Sequence, residues 1–232
     1  MSSAPACSCH LFKNAISFKS DMIKDFVSRY GIKKGLLLDI GCARCHYLKA
    51  LAGSFSSEVG IELDAAFLTE NARSFNVVNA SGENIPLANG TADLILFMET
   101  IEHVVNPVTA LQQIHSALSK DGFLFLTAPN RFYPFEIHDI HLGRTTIWNK
   151  FGLPFLSLLP NRLRKRFENA RIFTQKDLVN LLKICKFKTI SIEYMPVQFE
   201  NIGSSSFGSS LRKVFSHSPR VLGTSIIILA RK

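Results

Sequence analysis

The chain has 232 residues, 47% of them apolar and 19% charged, which suits one domain with a full core and leaves little length for two. No run approaches the roughly 18 uncharged apolar residues of a membrane span, and Met1 to His10 lack the basic flank and long apolar centre of a signal peptide, so a cytoplasmic protein is expected. Five irregularly spaced cysteines argue against a disulfide framework, and a formal charge of +9 suits an anionic partner (nucleic acid, phosphorylated substrate or anionic lipid) without choosing among them.

Residues 1–15 read as a poorly ordered tail. The helix after it places Met22, Ile23, Phe26, Val27 and Tyr30 on one face and stops at Gly31. Gly35–Gly41 is a first strand and Glu58–Leu63 a second, followed by a short helix over Ala65–Arg73. Phe75–Asn79 is a brief apolar run, and Ala80–Leu87 a polar turn. Ala92–Met98 is a buried fourth strand. Asn106 with Pro107 starts a helix whose stripe is Ala110, Leu111, Ile114 and Leu118. Lys120-Asp-Gly122 then turns the chain into a strand at Phe123–Thr127.

Alternation of this kind predicts a parallel sheet covered on both faces, with its ligand at the carboxyl ends of the strands. From Phe132 to Arg171 the pattern breaks into aromatics, prolines and basic residues with no clear strand, which reads as an insertion over the active edge. Thr174-Gln-Lys-Asp177 resembles a capping box opening a helix with Leu178, Leu181, Leu182 and Cys185 inward. Two last strands, Lys186–Tyr194 and Thr224–Ala230, are joined by a long link containing the mobile-looking Ser204–Ser210.

The stretch Leu36–Leu51 organises the rest. An apolar strand ends at Asp39 and Gly41 and a helix-like pattern follows, a strand–turn–helix suited to a nucleotide. Glu62 follows Gly41 by 21 positions, the distance at which a carboxylate accepts both hydroxyls of a ribose held over the first turn. A dinucleotide site would want G-x-G-x-x-G for its pyrophosphate, and Gly41-Cys-Ala-Arg-Cys-His46 keeps only the first glycine.

Leu38-Asp-Ile-Gly-Cys42, Gly60-Ile-Glu62, Gly82–Leu87 with Ala92–Ile95, and Met98-Glu-Thr-Ile-Glu-His-Val104 together resemble, in order and spacing, the class I S-adenosylmethionine-dependent methyltransferases. The last segment is similar to the branch that methylates quinone precursors and other small or lipid-like molecules. The resemblance implies an α/β, Rossmann-like three-layer sandwich with a seven-stranded mixed sheet, a C-terminal antiparallel hairpin and a lid insertion (132–171) after strand five. All of this forms one methyltransferase domain over 1–232. It also implies S-adenosyl-L-methionine as cofactor, with Asp39, Gly41 and Cys42 toward its methionine part, Glu62 on the ribose, Ser81, Gly82 and Glu83 around the adenine, and Met98 and Glu99 near the sulfonium. The family usually has glycine at the positions of Ala43 and Cys45, and often an acid at that of Ser81.

A hydroxyl acceptor needs a base with a pKa near working pH. Candidates are His103, His138, His141 and Glu136, with Glu136, His138 and His141 preferred because Phe135–His141 follows strand five and should overhang the methyl group. Cys42-Ala-Arg-Cys45, Cys7, Cys9 and His10 could be read as zinc ligands, but a metal in the turn would displace the cofactor, and none is expected. Residues 143–167 carry Arg144, Lys150, Arg162, Arg164, Lys165 and Arg166 beside apolar residues, which suits either an anionic membrane surface or a lid with a solvated basic side. The expected function is methyl transfer, on oxygen, to a small or lipid-linked acceptor by a cytoplasmic enzyme able to sit peripherally on a membrane. Alternatives are RNA or protein methylation, with nucleic acid disfavoured because no RNA-binding module is appended, and a cofactor-binding pseudo-enzyme acting as a partner.

Overall fold

A computed structural model describes residues 6–67, 74–133, 170–196 and 220–232, together with the short stretches 135–136, 140–142, 145–147 and 153–154. Five strands, β1 (Leu36–Ile40), β2 (Ser57–Glu62), β3 (Asn76–Asn79), β4 (Ala92–Met98) and β5 (Leu118–Pro129), run parallel in the order β3-β2-β1-β4-β5. Beyond β5 lie β11 (Ser225–Arg231) and then β10 (Lys188–Tyr194), both paired antiparallel. The chain winds outward from β1 to β3 and resumes on the other side of β1 at β4, so a crevice opens at the carboxyl ends of β1 and β4.

Side-chain alternation sorts the core into two layers. Leu38, Ile40, Ile95 and Phe97 face α3 (Pro107–Ala117) and α4 (Gln175–Ile184), while Leu37, Leu94, Leu96 and Met98 face α1 (Ala6–Arg29) and α2 (His46–Leu51). The helix starts follow their sequence signals. The Asn106 side chain accepts from the amides of Val108 and Thr109, and Thr174 forms a full capping box with Asp177. Cys185 is buried, as its place on the α4 stripe predicts.

Several readings need correction. Of the proposed 1–15 tail, residues 6–15 are helix, because α1 starts at Ala6 and no glycine or proline interrupts the sequence between Pro5 and Gly31. β5 starts at Leu118 rather than Phe123, and Lys120-Asp-Gly122 is an irregularity within the strand. Ala92 pairs with Leu118 but Leu94 with Phe123, and at Gly122 a Cβ would lie 2.9 Å from the Ala92 carbonyl oxygen, so glycine permits the close approach. The helix expected over Ala65–Arg73 is a single 3₁₀ turn at Ala65–Phe67, with residues 68–73 outside the described part.

The 132–171 insertion, read as strandless, contains two small antiparallel pairings. One joins β6 (Phe135–Glu136) to β9 (Leu153–Pro154), the other β7 (Ile140–Leu142) to β8 (Thr145–Ile147). Strands of two or three residues are too short to show a period in sequence. The Ser204–Ser210 link and most of the basic stretch 143–167 lie outside the described residues. Among the described residues no helix is long and apolar enough to cross a membrane.

Phe97 on the central strand β4 is fully buried. Phe97→Ala is expected to cost about 3–5 kcal/mol, read as a shift of the urea midpoint at unchanged m-value; a loss under about 1 kcal/mol would contradict this packing.

Candidate functional site

Alternation along β1 turns Asp39 toward the α1/α2 face, where it is 1% exposed and its Oδ2 has no hydrogen-bond partner. Burial first, then the nearby Glu62 carboxylate, raises its pKa from 3.8 to about 7.

The chain then turns sharply. Gly41 takes φ +73°, and its amide and that of Cys42 both donate to the Ile61 carbonyl, at 2.8 and 3.1 Å. A Cβ on Gly41 would lie 2.5 Å from Thr100 Oγ1, a hydroxyl that donates to the Met98 carbonyl at 2.9 Å and lies 3.3 Å from that of Ile40. Ala43 and Cys45 also adopt left-handed φ, +43° and +56°. The backbone therefore takes a conformation that glycine favours with two residues that carry a Cβ, at roughly 1–2 kcal/mol each.

Glu62 braces this turn. Its Oε2 accepts from the Ala43 amide at 2.9 Å and its Oε1 from that of Asp64 at 2.8 Å, leaving each oxygen a free lone pair. Cys42 and Cys45 are buried, their sulfurs 3.8 Å apart, and burial is the main cause raising both thiol pKa values. The Cys42 side chain packs where a Cβ on Gly60 would lie, 2.6 Å from its sulfur, so this residue faces the core and offers a ligand its backbone.

Across the crevice, β4 ends at Met98, which is buried in the α1/α2 layer, and Glu99 follows with φ +47°. Burial would push the Glu99 carboxyl up, but Lys19 of α1, 2.6 Å away, together with Ser225 and Thr127, holds its pKa below the usual value. Lys19 is 4% exposed. The Tyr47 phenol on α2 is raised by burial and then by the charges of Glu99 and Asp39. Glu102 is buried with Oε2 unpartnered, and burial followed by repulsion from Glu99 pushes its pKa well up. His103 Nε2 lies 4.0 Å from Glu102 Oε1.

The third strand-end loop packs on β1: a Cβ on Gly82 would stand 2.9 Å from Ile40 Cγ2. Ser81 Oγ accepts from the Glu83 amide, and Glu83 accepts from the amides of Val105 and Asn106 at 3.1 and 2.9 Å. Its carboxylate thus ties this loop to the start of α3.

Asp39, Gly41, Cys42, Glu62, Ser81, Gly82, Glu83, Met98 and Glu99 therefore lie in or just after the ends of neighbouring strands, with Asp39, Cys42 and Met98 buried there. Of the base candidates, Glu136 lies in β6 and His141 in β7, whereas His138 is outside the described residues. Lys19, Tyr47, Thr100 and Glu102 belong to the same region and were not singled out from sequence. A signal existed for Lys19: it falls on the buried stripe of α1, four residues before Ile23 and seven before Phe26. Among the described residues no group of three or more His, Cys, Asp or Glu could hold a metal ion.

Residues 38–126 match the family model described as a methyltransferase domain. The ubiquinone biosynthesis O-methyltransferase of Parvibaculum lavamentivorans is 32% identical over 110 residues, 40% of this chain and 40% of that protein. Its namesake in Glaesserella parasuis is 29% identical over 107 residues, 41% of this chain and 45% of that one. The chain thus matches less than half the length of these curated relatives. A crystal structure of an S-adenosylmethionine-dependent methyltransferase from Archaeoglobus fulgidus superposes with a TM-score of 0.58 at 17% identity, covering 96% of this chain and 99% of that one, which shows the shared fold.

The raised pKa of Asp39 makes the cost of burying it depend on pH. Below about 3.8 the group is protonated whether the chain is folded or not; as pH climbs toward about 7 the unfolded chain releases the proton and the folded one keeps it. Asp39→Asn should therefore gain stability over wild type progressively across that window, by an amount on the order of a few kcal/mol, and level off above it. Denaturant titrations at stepped pH read this; a stability difference independent of pH would refute the buried-acid assignment.

Proposed function

We propose, on the premise that this chain carries the class I S-adenosylmethionine-dependent methyltransferase domain, that it methylates an oxygen of a small or lipid-linked acceptor. The observation that carries the cofactor reading is the turn at 41–45, which follows a left-handed course at Gly41, Ala43 and Cys45 and is braced by Glu62. The residues fit the group. Gly41 lets the turn run against the Thr100 side chain, where a Cβ would clash, Asp39 offers an unpartnered oxygen, and Glu62 keeps lone pairs beside the turn.

In this reading the backbone around Asp39, Gly41 and Cys42 holds the methionine part, Glu62 the ribose, and Ser81 and Gly82 the adenine. Glu83 fixes the adenine loop through its bonds to Val105 and Asn106. Met98 and Glu99 border the reacting end. When bound, the cofactor supplies an electrophilic methyl group on a positively charged sulfur. The chain's own part is then positioning and exclusion of water, with well-oriented reactions gaining about 7–11 kcal/mol. Proton removal from the acceptor falls to Glu136, His138 or His141, in the stretch that follows β5.

The choice of oxygen, and of a quinone-like or lipid-like acceptor, is supported by the activity for which the two partial relatives are named and by the apolar and basic residues of 143–167. That segment would rest on an anionic membrane with the protein otherwise in the cytoplasm. The left-handed φ at Ala43 and Cys45 weakens the pseudo-enzyme alternative, since the turn keeps its course without the glycines.

Calorimetry should show binding of S-adenosylmethionine and S-adenosylhomocysteine but not NAD. Glu62→Gln, which sets an NH₂ against a backbone amide donor, should weaken binding at least about tenfold. Transfer of labelled methyl into a lipid extract, lost in the combined Glu136→Gln, His138→Ala, His141→Ala variant, tests the chemistry; binding of NAD alone would sink the reading. Sedimentation with anionic vesicles should drop when Arg162, Arg164, Lys165 and Arg166 become serine, and unchanged sedimentation would count against the membrane surface.

A further inference from the structure

An open cleft of about 310 Å3 lies between α1 and α2, lined only by residues of these two helices and so separate from the strand-end crevice. Ser20 lines it, is 2% exposed, and its hydroxyl has no hydrogen-bond partner. A buried hydroxyl left without a partner carries the desolvation penalty of an unmade bond, so a ligand that bonds to it recovers that loss. Lys24 and Ser17 line it from α1 and Lys49 from α2, and Asp21 is the one carboxylate among the lining residues. Two ammonium groups thus face one carboxylate. His46, at the start of α2, is held below the ordinary imidazole value by burial and then by Arg44 and Lys49.

We propose that this cleft binds a phosphate group, free or as the headgroup of an anionic lipid, with Ser20 donating a hydrogen bond and Lys24 and Lys49 neutralising its charge from the two helices. A tetrahedral anion accepts from both walls at once, and lysine ammoniums serve it as point charges without the planar geometry an arginine fork requires. Asp21 opposes the anion and sets a limit on affinity. The site links α1 to α2, the helix that leaves the 41–45 turn, without using any residue assigned to the cofactor.

The test needs no methyl transfer and stands or falls independently of it. Inorganic phosphate is titrated into the full chain in phosphate-free buffer at constant ionic strength, and followed by thermal melting and calorimetry. Wild type should melt higher with phosphate. The Lys24→Ser, Lys49→Ser double variant should bind it about tenfold more weakly or worse. Ser20→Ala should melt no lower than wild type without phosphate yet lose most of the phosphate-dependent rise, which separates a binding defect from a folding one. No rise in wild type, or an equal rise in the double variant, overturns the proposal. Sedimentation with phosphatidylcholine vesicles, with and without phosphatidylglycerol, distinguishes the sources. Binding that falls in the double variant and is competed by inorganic phosphate assigns a lipid headgroup, whereas phosphate binding with vesicle sedimentation unaffected by the variant assigns a free phosphate.

Discussion

An ammonium group on the buried face of a helix must meet a carboxylate, and Lys19 meets Glu99 across 80 positions of sequence at 2.6 Å. That contact fixes where α1 lies over the sheet and holds Glu99 ionised at the end of β4. Net stabilisation is not what such a pair chiefly supplies, since desolvation offsets much of the attraction; the firm consequence is that losing one partner strands the other. In the same region are Tyr47, Asp39 and Glu102, all raised first by burial and then by a nearby carboxylate: Glu99 for Tyr47 and Glu102, Glu62 for Asp39. Asp39 and Glu102, both raised, hold their protons to higher pH than ordinary carboxyls, so the fixed charge where these two parallel strands end rests chiefly on the Lys19–Glu99 pair.

Much of the sheet was legible because each strand carried its own local signal. β4 is a continuous apolar run, β1 ends at an acid and a glycine, and α3 has a capping residue followed by proline. Failures came where tertiary contacts override local chemistry. Lys120-Asp-Gly122 has the composition of a turn, yet the glycine serves to let β5 pass close to the Ala92 carbonyl. The early start of α1 was hidden because polar and small residues near the beginning resemble a tail unless the absence of breakers is counted. The small pairings of the insertion are set by contacts between segments that carry no periodic pattern of their own.

The site divides in the same way. Asp39, Gly41 and Glu62 could be read from spacing along two strands, because parallel strands of similar length bring their ends into register. The course of the turn could not be read, since Ala43 and Cys45 have no intrinsic preference for the left-handed region; the Ala43 amide donates to Glu62 and the Cys45 amide to the Cys42 carbonyl. Glu83 and Glu102 are likewise defined by what surrounds them: one by two amides at the start of α3, the other by enclosure beside Glu99.

Gly60 carries a consequence for how this chain can change over time. The space a side chain would fill there is occupied by Cys42 and Leu48, with the cysteine sulfur 2.6 Å from the position of a Cβ. The turn and the neighbouring strand are therefore interlocked: residue 60 has no room to grow while residue 42 keeps its size. Descendants of this sequence would be expected to enlarge position 60 only after, or together with, a reduction at 42, so the two sites should drift as a pair.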